Sequence, residues 1–125
     1  IEIRKPTQKQ TVAAIKSGDF SEVKKIENAA RQEAAKVFHA VASGSVPLIW
    51  YDLPPVRCQS GAVSVMRYAL HRSTKQNGFL QLSCMELKNG QIIPTSDRQY
   101  NVSDAGFSEF FRDLPRSVNA NFLEQ

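Results

Sequence analysis

The sequence has few of the residues that build disulfide frameworks or membrane spans. Its two cysteines, Cys58 and Cys84, lie 26 residues apart without a CxxC pair. This spacing supports neither a disulfide framework nor a zinc site, and it fits a reducing compartment. No apolar run approaches the roughly 20 residues that span a bilayer, and no signal-peptide core occurs at the start. We therefore expect no membrane partner, and a cytoplasmic protein, or a nuclear one in a eukaryote. Because residue 1 is Ile rather than Met, removal of an N-terminal segment is left open.

Catalytic and cofactor-binding motifs are also missing. The sequence has no Walker loop, GxSxG elbow or GxGxxG turn, and His39 and His71 lack the HExxH spacing of a metal site. These observations predict a protein that is not an enzyme and that uses no cofactor or metal. A nucleophile pair of His71 with Cys58 or Cys84 is left open, because such partners meet only in the folded chain.

The composition is that of one folded domain over residues 1–125. Of these residues, 42% are hydrophobic and 22% charged, as in ordinary globular proteins. Residues 1–44 predict a helical hairpin, with a short helix, a break at Ser17-Gly18-Asp19 and a longer alanine-rich helix. Asp19 or Ser21 is the expected cap of the longer helix, because both side chains accept hydrogen bonds from free backbone N–H groups.

Residues 45–102 predict an antiparallel meander of three to four strands. The dipeptides Asn77-Gly78 and Asn89-Gly90 are typical of type I′ hairpin turns, in which both residues need a positive φ. The strand after the second turn is expected to end at Pro94, because proline cannot donate to the hydrogen-bond ladder. Residues 103–125 predict a C-terminal helix capped by Ser103, followed by a tail that packs on the body. The predicted fold class is α+β.

Charge gives a weak lean toward anionic partners. The net charge is +4, from 16 basic and 12 acidic residues. Residues 1–44 hold eight basic and five acidic residues, residues 45–102 hold six and three, and residues 103–125 hold two and four. The basic excess is therefore shared by the helical and β-rich parts, and charge alone does not choose a binding surface.

The β-rich part interleaves cations with aromatic residues. Single-stranded nucleic acid needs cations for its phosphates and flat side chains on which bases stack. The pattern predicts single-stranded DNA or RNA as the partner, bound on the sheet and its hairpins. The expected phosphate contacts are Arg67, Arg72, Lys75, Lys88 and Arg98, and the expected stacking residues are Tyr68 and Tyr100.

The block from Phe79 to Leu114 resembles the C-terminal domain of the positive-cofactor-four family of single-stranded-DNA-binding transcriptional coactivators. Gly90 and Pro94 fall on the family's turn glycine and following proline, and Phe107 falls where the family's helix carries a tryptophan. Arg67-Tyr68 and the turn with Lys75 resemble the family's earlier strand and basic hairpin. The family's Lys-rich stretch is replaced here by residues 95–98, in which Arg98 is the one cation.

The resemblance implies a homodimer that serves as an accessory factor in transcription or replication. In such a dimer the C-terminal helices pair and the two sheets form grooves for single strands. Phe107, Phe110 and Phe111 are then expected to divide between the core and the dimer contact. The alternative interpretation is a protein-interaction or regulatory module that docks through its helices without nucleic acid. In that case the basic residues should not converge on one face of the folded chain.

Overall fold

A computed structural model of the chain describes residues 1–123 and shows an α+β fold. Its three helices are α1 (Gln8–Ser17), α2 (Ser21–Ala42) and α3 (Asp104–Asp113). Its strands are β1 (Glu2–Arg4), β2 (Leu48–Asp52), β3 (Val56–Arg57), β4 (Val63–Arg72), β5 (Phe79–Lys88), β6 (Gln91–Asn101), β7 (Ser117–Asn119) and β8 (Asn121–Phe122).

The helix boundaries follow local capping signals, with one exception. Helix α1 begins with a capping box. The Thr7 hydroxyl accepts a hydrogen bond from the Gln10 backbone N–H, and the Gln10 side-chain oxygen accepts one from the Thr7 backbone N–H. Ser103 caps α3 as predicted. Neither Asp19 nor Ser21 is the N-cap of α2. That position is Phe20, which makes no side-chain cap, while Asp19 accepts from the Ser21 backbone N–H in the preceding turn.

The main sheet is wider than the predicted meander. Its strand order is β6-β5-β4-β2-β8, with β3 also paired to β4, and every pair is antiparallel. The three long strands β4, β5 and β6 form the meander itself. The tail supplies β8, and β7 pairs with β1 in a separate two-stranded sheet. The short strands β1, β3, β7 and β8 carry too few residues to show an alternating pattern in the sequence.

The two Asn-Gly turns differ in geometry. Asn89 and Gly90 both have positive φ, 52° and 73°, and they join β5 to β6 in the predicted two-residue turn. At the first turn Gly78 alone has a positive φ, and residues 73–78 form a longer connection. The prediction of a type I′ turn at Asn77-Gly78 is therefore wrong.

Strand β6 continues through Pro94, where the sequence predicted an end. β6 is the outermost strand, so a proline nitrogen without hydrogen costs no ladder bond when it faces away from β5. Next to it, Thr95 is an extra residue in the ladder, because Cys84 pairs with Ser96 while Met85 pairs with Pro94. The Thr95 hydroxyl donates to the Cys84 carbonyl (3.1 Å) and so stabilises this β-bulge.

The core lies between one face of the main sheet and the helices α2 and α3. The sheet contributes Ile49, Tyr51, Leu70, Leu80, Leu82 and Tyr100, and the helices contribute Ala34, Val37, Phe38, Val41, Phe110 and Phe111. α3 approaches the end of β6 closely, because a Cβ on Gly106 would lie 1.7 Å from the Asn101 carbonyl oxygen. The Lys5 ammonium donates to the Phe111 and Leu114 carbonyls at the end of α3, which ties β1 to that helix.

Candidate binding face of the sheet

The side of the main sheet turned away from α2 and α3 is here called the open face. Side chains alternate between the two faces along a strand, so the neighbours in sequence of the core residues point to this side. Within residues 1–123 both helices that pack on the sheet lie on its other side. From β2, β4, β5 and β6 the open face collects Trp50, Asp52, Val63, Val65, Arg67, Ala69, His71, Gln81, Ser83, Met85, Leu87, Ile92, Pro94, Asp97 and Gln99.

Arg67 lies on the open face and is already bound to a carboxylate. Its guanidinium donates to both oxygens of Asp52, at 2.7 and 3.0 Å, and lies 4.2 Å from the centre of the Trp50 ring. The hydrogen bond to Asp52 raises the pKa of Arg67 further above its ordinary value. A phosphate would therefore have to compete with Asp52 for this cation.

The two predicted stacking tyrosines point to the opposite side of the sheet. Tyr68 stacks on Tyr51 with ring centres 5.2 Å apart, and a hydrogen bond to Cys84 raises the pKa of the Tyr68 phenol. Tyr100 is 0% exposed and its hydroxyl donates to Asp113 (2.7 Å). The expectation that Tyr100 stacks a base is wrong, because its ring is covered by the core. Tyr68 keeps some exposure but does not share a surface with Arg67.

The remaining predicted cations do not converge on one face. Lys75 binds Asp97 (2.6 Å) on the open face, whereas Arg98 binds Asp113 (2.9 Å) and lines a cavity with Tyr68 on the helix-covered side. Arg72 lies against Gly44 at the end of the second helix, and Lys88 lies next to the β5–β6 turn. In the part of the chain that the structure describes, neither Arg72 nor Lys88 forms an ion pair.

The predicted dimer contacts lie mostly inside the monomer. Phe110 and Phe111 are buried, and Phe110 packs on Phe38 of α2 and on Tyr100. Phe107 is half-buried, edge to face with Phe38 and parallel to His39. The expectation of a dimer contact is therefore wrong for Phe110 and Phe111, because α2 covers the aromatic side of α3.

His71 approaches a serine rather than either cysteine. Its Nε2 lies 3.0 Å from the Ser83 hydroxyl, and its Nδ1 lies 2.8 Å from the Arg72 carbonyl oxygen. Because a carbonyl oxygen can only accept, Nδ1 carries the proton and the Ser83 hydroxyl donates to Nε2 when the ring is neutral. Cys84 points to the other face of β5, and Cys58 lies between β3 and β4. Within residues 1–123 neither cysteine is therefore placed to pair with His71.

A cavity of about 590 Å³ opens on the open face beside the bulge of β6. It is lined by Gln81, Ser83, Cys84, Met85, Ile92, Pro94, Thr95, Ser96 and Asp97. Sequence reasoning missed it, because the bulge is not readable from the residues 94–96. Gln81, Ser83 and Met85 alternate with the buried residues Leu80, Leu82 and Cys84, so a strand through this segment assigns the three residues to a common face.

The end of the open face near the β5–β6 turn is apolar. Ile92 lies opposite Leu87, which lies opposite Val65, while Pro94 lies opposite Met85. Val63 completes this group at the start of β4. We call Val63, Val65, Met85, Leu87, Ile92 and Pro94 the apolar end of the open face. Ile92 is 67% exposed and Val63 45% exposed, so the described chain leaves the outer part of this group uncovered.

Residues 1–123 contain no group of three or more His, Cys, Asp or Glu side chains placed to hold a metal ion. In the same part of the chain no helix is both long and apolar enough to cross a membrane.

Comparisons with known proteins give no family for this chain. No protein-family model, no curated protein and no solved structure matches it. The resemblance to the positive-cofactor-four family therefore stays a prediction.

Proposed function

We propose that this protein is a non-enzymatic binding module that recognises a protein partner through the open face of its sheet. The observation that carries the proposal is the apolar end of the open face, where Ile92 and Val63 are exposed beside four further apolar side chains. Contiguous apolar patches of this kind mark interaction surfaces in folded proteins, because leaving them in water is unfavourable.

The charges favour a protein over a nucleic acid. Arg67 and Lys75 on the open face are neutralised by Asp52 and Asp97, whose carboxylates repel phosphates on the same surface. The remaining predicted cations are spread over the other side and the strand ends. A protein interface, by contrast, commonly places ion pairs such as these around an apolar centre.

A photo-crosslinking experiment tests which surface docks. A benzoyl-phenylalanine at position 92 places the crosslinker on the open face, one at position 15 places it on α1, and one at position 32 places it on the exposed side of α2. After incubation with an extract of the native cells, we expect discrete adducts from position 92 alone. Adducts from position 15 or position 32 without adducts from position 92 would favour the alternative that the helices dock, and would contradict the open face as the binding surface.

Single-stranded nucleic acid on the open face is the second candidate function. The specific observation that supports it is the Arg67–Trp50 stack, since a planar cation and an indole together offer a surface for a base. Trp50 is the single tryptophan of the chain, so its fluorescence reports binding directly. This candidate predicts that a single strand of 20 thymidines quenches the Trp50 fluorescence. It also predicts that the logarithm of the binding constant falls with the logarithm of the salt concentration, with a slope of about −0.7 for each phosphate neutralised. Unchanged fluorescence at low salt excludes it.

A further inference from the structure

The cavity beside the bulge of β6 has one polar wall and one apolar wall. The polar wall is made by Gln81, Ser83 and Asp97, and the apolar wall by Met85, Ile92 and Pro94. The bulge at Thr95 separates the two parts of β6 that supply these walls, and bulges at sheet edges often re-aim side chains toward a binding site.

Gln81 on the polar wall has an unsatisfied acceptor. The side chain is 7% exposed, and its amide nitrogen donates to Asp97 (3.2 Å) and more weakly to Ser83 (3.4 Å). Its oxygen Oε1 has no hydrogen-bond partner. A buried polar atom without a partner is unfavourable, so a ligand whose N–H donates a hydrogen bond to it removes that cost. The last torsion of a glutamine is soft, so the amide of this cavity-lining residue can adjust to a ligand.

The groups around Gln81 leave both donors and acceptors free. The Lys75 ammonium has three protons and uses one on Asp97, whose other oxygen can still accept. Gln99, directly opposite Gln81 on β6, also has no partner for either amide atom. The paired charges of Lys75 and Asp97 nearly cancel, so the polar wall suits a neutral group better than an anion or a cation.

We propose that this cavity binds a neutral carboxamide attached to a short apolar body. The carboxamide N–H donates to Gln81 Oε1, its carbonyl accepts from the polar wall, and the apolar body packs on Met85, Ile92 and Pro94. A carboxylate lacks the N–H that Gln81 needs, and the paired charges of Lys75 and Asp97 leave no net positive charge to attract it. The ligand is either a small free amide or an Asn or Gln side chain of a partner protein, and the first can be tested without the proposed function.

Titration of the ¹⁵N-labelled full chain with propionamide tests the proposal by NMR. We expect saturable shifts of the amide signals of Gln81, Ser83 and Asp97, with a dissociation constant of about millimolar, as is usual for so small a ligand. Gln81→Met should weaken binding at least tenfold. Gln32→Met, the same change on exposed α2 surface, should leave it unchanged.

Two control ligands separate the carboxamide from general apolar binding. Methyl propionate keeps the apolar body without the N–H, and propionate replaces the amide by an anion, so both should bind at least tenfold more weakly. Equal affinity of methyl propionate and propionamide, or no saturable shift with propionamide, would overturn the proposal. If Gln81→Met fails to fold, the wild-type chain still tests the proposal. We expect nuclear Overhauser contacts from the propionamide methyl group to Met85 and Ile92, and their absence at saturation overturns the proposal.

A peptide distinguishes the two sources of the amide. β6 is the outer strand of the sheet, so an extended segment of a partner could lie along it and insert one side chain into the cavity. Acetyl-Val-Gln-Val-methylamide should then bind at least tenfold more tightly than propionamide and than the matching Val-Met-Val peptide. Equal affinity of the Gln peptide and propionamide identifies a free small amide as the ligand class.

Discussion

Two buried tyrosines make the stability of this protein sensitive to alkaline pH. Burial in the core raises the pKa values of Tyr51 and Tyr100 well above their ordinary value of 10.0, and the hydrogen bond to Asp113 adds to the shift at Tyr100. Above pH 10 the unfolded chain releases these protons while the folded chain keeps them. The stability is therefore fully present below pH 10 and is lost as the pH rises, by about 1.4 kcal/mol per pH unit for each tyrosine.

Tyr51→Phe tests this linkage. The variant removes one titrating phenol and keeps the ring in the core, so between pH 10 and 11 its free energy of unfolding should fall less steeply than that of the wild type, by about 1.4 kcal/mol per pH unit. Urea unfolding of both proteins at pH 8, 10 and 11 measures the slopes. Lys5, whose pKa is lowered by burial, and Tyr68, whose pKa is raised, titrate in both proteins and cancel in the difference between the slopes. Identical slopes would contradict the assignment to Tyr51.

Gly106 is required by the close packing of α3 on the end of β6. An alanine there would place its Cβ 1.7 Å from the Asn101 carbonyl oxygen, and that backbone atom cannot move without shifting the strand. We expect Gly106→Ala to destabilise the protein by about 3 kcal/mol or more, beyond ordinary overpacking. Ser108→Ala, on the exposed side of the same helix, should change stability by less than about 0.5 kcal/mol in the same urea unfolding measurement.

Secondary-structure elements with strong local signals were predictable from the sequence. The capping residue Ser103 and the turn Asn89-Gly90 act within a few residues of themselves, so their signals survive in the fold. The path of β6 through Pro94 was not predictable, because it depends on β6 being the outer strand. Strand order is set by long-range pairing, as when β2 pairs with β4 and the tail returns as β8.

The candidate site was only partly predictable for a related reason. Arg67 and Tyr68 are consecutive in β4, so a strand with a period of two must place them on opposite faces. A strand through both residues therefore argues against a joint site on one face. The aromatic partner of Arg67 is Trp50, which lies 17 residues away in sequence and becomes its neighbour through the pairing of β2 with β4.

The bulge at Thr95 should control the cavity independently of the rest of β6. Deleting Thr95 joins the Ser96–Cys84 and Pro94–Met85 pairs directly and keeps every other pair of the ladder. We expect a folded protein whose cavity is closed and whose propionamide affinity is at least tenfold weaker. NMR spectra report both results. Unaltered propionamide binding in the deletion variant would show that the bulge does not shape the site.

The aromatic cluster between α2 and α3 belongs to the hydrophobic core of the single chain. Phe110→Ala removes a buried ring that contacts Phe38 and Tyr100, and it should cost about 3–5 kcal/mol of unfolding free energy. If Phe110 were instead a dimer contact, the loss would depend on protein concentration. Thermal unfolding at two concentrations a hundredfold apart separates the cases, and we expect the destabilisation to be the same at both.

The open face and the helices can be compared as docking surfaces with two isoleucines of nearly equal exposure. Ile92 is 67% exposed on the open face, and Ile15 is 64% exposed on α1. Because neither is part of the core, Ile92→Lys and Ile15→Lys should each change the unfolding free energy by less than about 0.5 kcal/mol.

A buried lysine at a protein interface is costly, so only the variant on the docking surface should lose its partner. Photo-crosslinking measures this loss. A benzoyl-phenylalanine at position 63 should capture the partner when the rest of the chain is wild type or carries Ile15→Lys, but not when it carries Ile92→Lys. Loss with Ile15→Lys but not with Ile92→Lys would contradict docking on the apolar end of the open face, and the unfolding measurement ensures that either loss reflects binding rather than folding.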